Sequence, residues 1–312
     1  MSAGSGEETQ AMRLWAIRLY VKATMWARGV AARCKEKDEA DRLARIVSVL
    51  LGWVLMSYAL QAVAALVMTA IVKQGSLPGG WWKPLSALLS VVASCLSYPI
   101  VIWGVPGLRG LLSREDSWLR KPRWGEWCSK IGLSRLGTAA STALMGVAGA
   151  VACFAAVQCS TMVVRLFLGD VSIASSGLAE TIRAMAGGEP LPTAAGALTL
   201  LTTLLLAPAL EETAFRGVVA RDAVDSVFAS KPDGSPSRGR QAVACVLASL
   251  AFGLLHVVSL GGWRESVATV VAMTAMGSVL ALEARAAKSI WPSIVSHVLY
   301  NVVTLALLLA LG

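Results

Sequence analysis

The chain has 312 residues, 56% of them apolar and only 15% charged, against roughly 25% charged in soluble globular domains. That deficit excludes an ordinary soluble domain and points to a membrane protein. The net charge of +9 would suggest nucleic acid or an anionic surface in a soluble protein, but here its distribution along the chain is the informative quantity.

In chain order, residues 1–45 form a basic amino-terminal segment. Within it, residues 12–37 mix Arg and Lys with Trp15, Tyr20 and Trp26, a composition that suits a helix lying on an anionic leaflet and equally a topology determinant. Seven apolar stretches follow, at about 46–72, 84–105, 136–164, 194–219, 242–260, 267–282 and 290–311; a membrane core needs about 20 residues of helix. The sixth is short, and its Ala, Gly, Met and Thr content fits a helix packed closely among others. The expected fold class is therefore all-α, a polytopic transmembrane helical bundle of about seven spans. Residues 46–168 hold membrane helices of no assignable role, 169–193 an external linker ending in Gly187, Gly188, Pro190 and Pro192, and 194–312 the spans that carry polar chemistry. The loop at 230–240, rich in Pro, Gly and Ser, is expected to be a mobile linker.

The basic residues alternate sharply between loops. Residues 1–45 hold nine Lys and Arg, 106–135 seven, 211–240 five and 283–289 two, leaving five elsewhere. The 23-to-5 split predicts a cytoplasmic amino terminus, an external carboxyl terminus and residence in the cytoplasmic membrane. The first span follows about 45 hydrophilic residues and is expected to act as a signal anchor. The cysteines Cys34, Cys95, Cys128, Cys153, Cys159 and Cys245 form no C-x-x-C pair and read as small packing residues.

Ionisable and hydrogen-bonding side chains recur on three of the last four spans. The fourth carries Glu211, Glu212 and Arg216. At 3.6 residues per turn Glu212 and Arg216 share a face and can pair, whereas Glu211 points about 100° away. Pro208, just upstream, is expected to loosen the helix where the acids sit. The fifth span places Phe252 and His256 four apart, and the seventh places His297 and Asn301 four apart. Those are the only two histidines in the chain. Each charge buried in a bilayer costs about 2.5–3.5 kcal/mol on insertion scales, so stability alone does not account for the set.

The order E-E-x-x-x-R, F-x-x-x-H, H-x-x-x-N on three apolar segments, with Phe215 and Gly217 completing E-E-x-x-F-R-G, resembles the CAAX protease and bacteriocin-processing family. The resemblance covers residues 194–312 and implies a catalytic membrane domain, an intramembrane endopeptidase. It implies that Glu211 activates water with help from His256, and that His297 and Asn301 hold the oxyanion. Arg216 would orient Glu212. The implied partner is a membrane-associated peptide or protein substrate in the bilayer, with no nucleic acid. Eukaryotic members trim prenylated carboxyl-terminal CAAX peptides, and bacterial members are associated with peptide processing and immunity. No cofactor is required; zinc held by Glu211, His256 and His297 is the disfavoured alternative, because no H-E-x-x-H helix is present. A non-catalytic scaffold or immunity protein and a proton-coupled transporter are the rival readings.

Overall fold

The structure, a computed structural model, describes scattered residues between 59 and 95 and residues 124–133, 137–171, 200–224, 238–257 and 262–311. The amino-terminal segment, most of the first two expected spans, the external linker from 172 and the loop at 230–237 lie outside the described residues.

The described residues contain helices and no strand. They are α1 (Trp124–Ile131), α2 (Ala139–Leu168), α3 (residues 202–224), α4 (Arg238–Leu255), α5 (Trp263–Ala287) and α6 (Trp291–Leu311). Among them α2, α5 and α6 are long and apolar enough to cross a membrane. The fold is all-α and membrane-spanning, as the composition predicts.

At 1.5 Å per residue the 30 residues of α2 reach about 45 Å, more than a hydrocarbon core requires. Thr138 starts the helix by accepting the Ser141 N–H at 3.2 Å, and Gly169, at φ +79, stops it. Apolar residues surround α2, so hydrophobicity cannot choose its inner face. Size does. The buried stripe runs through Gly146, Gly149, Ala150, Cys153, Val157, Thr161 and Val164, while Leu144, Val151, Leu166 and Phe167 face outward. Small residues let helix axes approach and gain dispersion contacts that lipid tails cannot match. A Cβ on Gly146 would fall 2.7 Å from Val295 Cβ of α6, and one on Gly149 would fall 2.5 Å from Glu283 Oε2 of α5. The helix assigned no role from the sequence therefore packs directly on the last two helices, α5 and α6.

Helix α5 packs on α4 and on α2. It runs to Ala287, past the expected end at 282, and stops where Lys288 takes a left-handed conformation at φ 53. Ala, Leu, Glu and Arg at 281–287 are strong helix formers, so Glu283 and Arg285 belong to the helix and not to a loop. In contrast α4 ends at Leu255, short of the expected 260. His256 occupies the closing turn, with its N–H on the Gly253 carbonyl at 3.1 Å.

One end of the bundle is knitted by hydrogen bonds to backbone carbonyls. The Ile290 N–H donates to Gly132 O at 3.3 Å, Trp291 Nε1–H donates to Leu133 O at 2.9 Å, and the Arg221 guanidinium donates to the carbonyls of Ala284 and Lys288. Gly132, at φ +85, lies against that guanidinium, where a side chain would collide with it. Three of the basic segments thus meet at one end, on the same side of the bundle.

Gly149→Val is expected to destabilise the protein by about 1–3 kcal/mol, because the methyls must enter the Glu283 and Ser296 contact. Thermal unfolding in detergent reads this; an unchanged midpoint would show that α2 can move away at no cost.

Candidate active site

Helix α3 carries the acid pair in an unusual setting. Thr202–Leu206 is π-helical, Ala207–Glu212 is α-helical, and Thr213–Val224 is π-helical again. Pro208 lies at the first junction, and the widened turns flank the acids on both sides. Such departures from α geometry recur at functional sites.

Glu212 is fully buried and held from two directions. On its own helix, Arg216 Nε lies 3.2 Å from Glu212 Oε2, which is the ion pair expected from the four-residue spacing. From α6, His297 Nδ1 lies 3.0 Å from Glu212 Oε1. An ionised carboxylate only accepts, so Nδ1 is the protonated nitrogen that donates. Arg216 is itself buried; its Nη2–H donates to Gly277 O of α5 at 3.3 Å, and its guanidinium stacks over the Phe252 ring at 4.5 Å. Nη1 has no hydrogen-bond partner, and the negative face of Phe252 supplies part of what is missing. Phe215 packs edge-on against the same ring at 5.1 Å.

The second acid meets the other side of the same imidazole. Glu211 Oε2 lies 3.7 Å from His297 Nε2, with 13% of the Glu211 side chain exposed. Adjacent acids that an ideal helix would separate by 100° therefore converge on one histidine. The separation exceeds a normal hydrogen bond, so the two groups meet as a close charge contact.

His256 is connected differently. Its Nδ1 donates to Phe252 O at 2.8 Å, supplying a carbonyl at the end of α4, and its ring lies 4.5 Å from the Phe252 ring. Nδ1 therefore carries a proton, and Nε2 is the nitrogen that remains for chemistry. Phe252 also touches His297, with centroids 6.0 Å apart, so it separates and orients both histidines. Asn301 does not reach the acids; its Nδ2 donates to Thr203 O at 3.3 Å.

Of the six residues singled out from the sequence, Glu211, Glu212, Arg216 and His297 form one connected set, His256 joins it through Phe252, and Asn301 binds the backbone of α3. Among the described residues no three His, Cys, Asp or Glu side chains gather closely enough to hold a metal. One acid escaped sequence reasoning. Glu283 of α5 has carboxyl oxygens 2.8 and 2.7 Å from Ser296 Oγ, which also lies 3.0 Å from Gly146 O. It joins α5, α6 and α2 beside His297, and the run of helix formers around it is the signal that could have placed it on a helix.

Residues 193–303 match the family model described as type II CAAX prenyl endopeptidase Rce1-like. No curated protein and no solved structure matches the chain. The matched region contains the acid pair, Arg216, both histidines and Asn301, borne on a bundle whose long apolar helices can cross a bilayer. Residues 193–303 are thus similar to the type II CAAX prenyl endopeptidase Rce1-like family, a match that supports a CAAX-type peptidase held in a membrane.

Proposed function

We propose that the chain hydrolyses a peptide bond of a membrane-associated protein or peptide with water activated at Glu211. The observation that carries this reading is the unequal burial of the two acids. Glu212 is fully buried between Arg216 and His297, whereas Glu211 keeps 13% of its side chain exposed and stands 3.7 Å from Nε2 of the same histidine. Glu212 serves as the anchor and Glu211 as the base.

In this mechanism Glu211 takes a proton from water as the oxygen attacks the scissile carbonyl carbon. His256, with Nδ1–H committed to Phe252 O, offers Nε2 to orient that water. The carbonyl electron pair moves to oxygen, and His297 stabilises the oxyanion that develops. Collapse breaks the C–N bond, and the amine leaves with the proton held by Glu211. The substrate is a membrane-associated protein or peptide, and the family description, a CAAX prenyl endopeptidase, supports a prenylated one. The site opens toward the cytoplasm of a cytoplasmic-membrane protein whose amino terminus is also cytoplasmic. The meeting of Gly132, Arg221 and Ile290 at one end supports this, since all three lie in or beside segments rich in Lys and Arg.

Glu211→Gln is expected to lower kcat by about 100-fold to 10,000-fold while the protein still inserts and folds, as for loss of a general base. Purified protein in detergent, assayed on prenylated and unprenylated carboxyl-terminal peptides, reads the effect. A folded Glu211→Gln variant that cleaves at the parent rate would falsify the mechanism.

Activity is expected to survive exhaustive chelation. Stoichiometric zinc in the purified protein, with activity lost on its removal and regained on its return, would overturn the metal-free scheme.

Orientation is open to cysteine labelling. A Ser235→Cys variant in a cysteine-free background is expected to react with an impermeant maleimide only from the cytoplasmic side; labelling of intact cells from outside would reverse the assigned topology.

A further inference from the structure

Thr203 lies in the π-helical stretch that leads to the acid pair. Backbone bonds there run five residues back, and the Ala207 N–H donates to Thr202 O. The next donor in that register is residue 208, a proline, which has no N–H. In an α-helix Ala207 would serve Thr203 instead, but its N–H is engaged one residue earlier. The Thr203 carbonyl is thereby stripped of its helical donor at membrane depth, where no solvent replaces it.

Asn301 fills the vacancy. Its Nδ2 lies 3.3 Å from Thr203 O, and an amide N–H is a donor suited to a lone carbonyl. One turn earlier on α6, His297 Nδ1 contacts Glu212 at 3.0 Å. Two side-chain bonds, one turn apart on α6, therefore grip α3 on either side of Pro208. Sliding or rotating α6 to break the first would also carry His297 Nε2 away from its place opposite Glu211.

Resting on the reading that Glu211 activates water, we propose that Asn301 is a positioning residue whose amide replaces the hydrogen bond that Pro208 withholds from Thr203, and so sets the register of His297 against the acid pair. A role confined to the oxyanion would be indifferent to residue 208. The tether is not, because an alanine at 208 restores an N–H that can serve the Thr203 carbonyl.

The test is a double-mutant cycle of Asn301→Ala and Pro208→Ala, read in kcat, in KM and in the midpoint of thermal unfolding in detergent. In the parent, Asn301→Ala is expected to lower kcat about 100-fold with KM little changed, the scale of a small misplacement of reacting groups. In the Pro208→Ala background the same substitution is expected to cost only about twofold, and the fall in unfolding midpoint seen in the parent should largely vanish. Equal costs of Asn301→Ala in both backgrounds, in rate and in midpoint, would overturn the proposal. The unfolding arm needs no turnover, so it decides on the tether even if Glu211→Gln shows the water mechanism to be wrong. Should Asn301→Ala not fold, recovery of folded protein on adding Pro208→Ala supports the tether and failure to recover it counts against it. Asn301→Asp, which keeps the shape and acceptors but loses the donor, is expected to follow the alanine variant.

Discussion

Everything in the site is referred to the fully buried carboxylate of Glu212. A charge at that depth is tolerable only with partners on more than one side, because the attraction of a single partner seldom offsets the desolvation of two ions. Here the partners come from different helices. Arg216 answers from α3 itself, His297 answers from α6, and Gly277 of α5 accepts from the guanidinium. Removing one partner would leave an uncompensated buried charge, at a cost of about 3–5 kcal/mol. The ion pair therefore makes the mutual placement of three helices a condition of stability, and the same placement brings His297 to Glu211.

The backbone of α3 is arranged to the same end. An α-helix would aim consecutive acids about 100° apart, yet both reach one imidazole. They do so from different sides, Glu212 at Nδ1 and Glu211 at Nε2, with π-helical stretches on either side of the α-helical Ala207–Glu212. Packing supplies the rigidity that such a helix lacks. Small residues on α2 bring it onto α5 and α6, where Glu283 and Ser296 meet the Gly146 carbonyl, and Phe252 fills the space between Arg216 and the two histidines.

Membrane character, helical class and the polar residues of the site were all legible in the chain. A low charge content and long apolar runs suffice for the first two, because a bilayer admits few alternatives to helices for such segments. The spacing of Glu212 and Arg216 also specified their pairing, since four residues bring two side chains onto one face whatever surrounds them. Boundaries were less legible. Charge at Glu283 and Arg285 looked like the end of a span, whereas the helix continues through both because the packed interior, unlike lipid, can offer Ser296 as a partner.

Other features depended on contacts distant in sequence. That His297 faces both acids, that Asn301 binds Thr203 and not the acid pair, and that His256 closes α4 through its own carbonyl follow from how α6 and α4 sit against α3. The inner face of α2 is similar, because apolar residues on all sides carry no directional signal until a neighbour rewards small ones. The sequence by itself determined which chemical groups enter the membrane and which near neighbours pair, through composition and helical period. Only the tertiary structure decided which acid is buried against Nδ1 and which meets Nε2, because that choice rests on how α6 packs against α3, which no local spacing encodes.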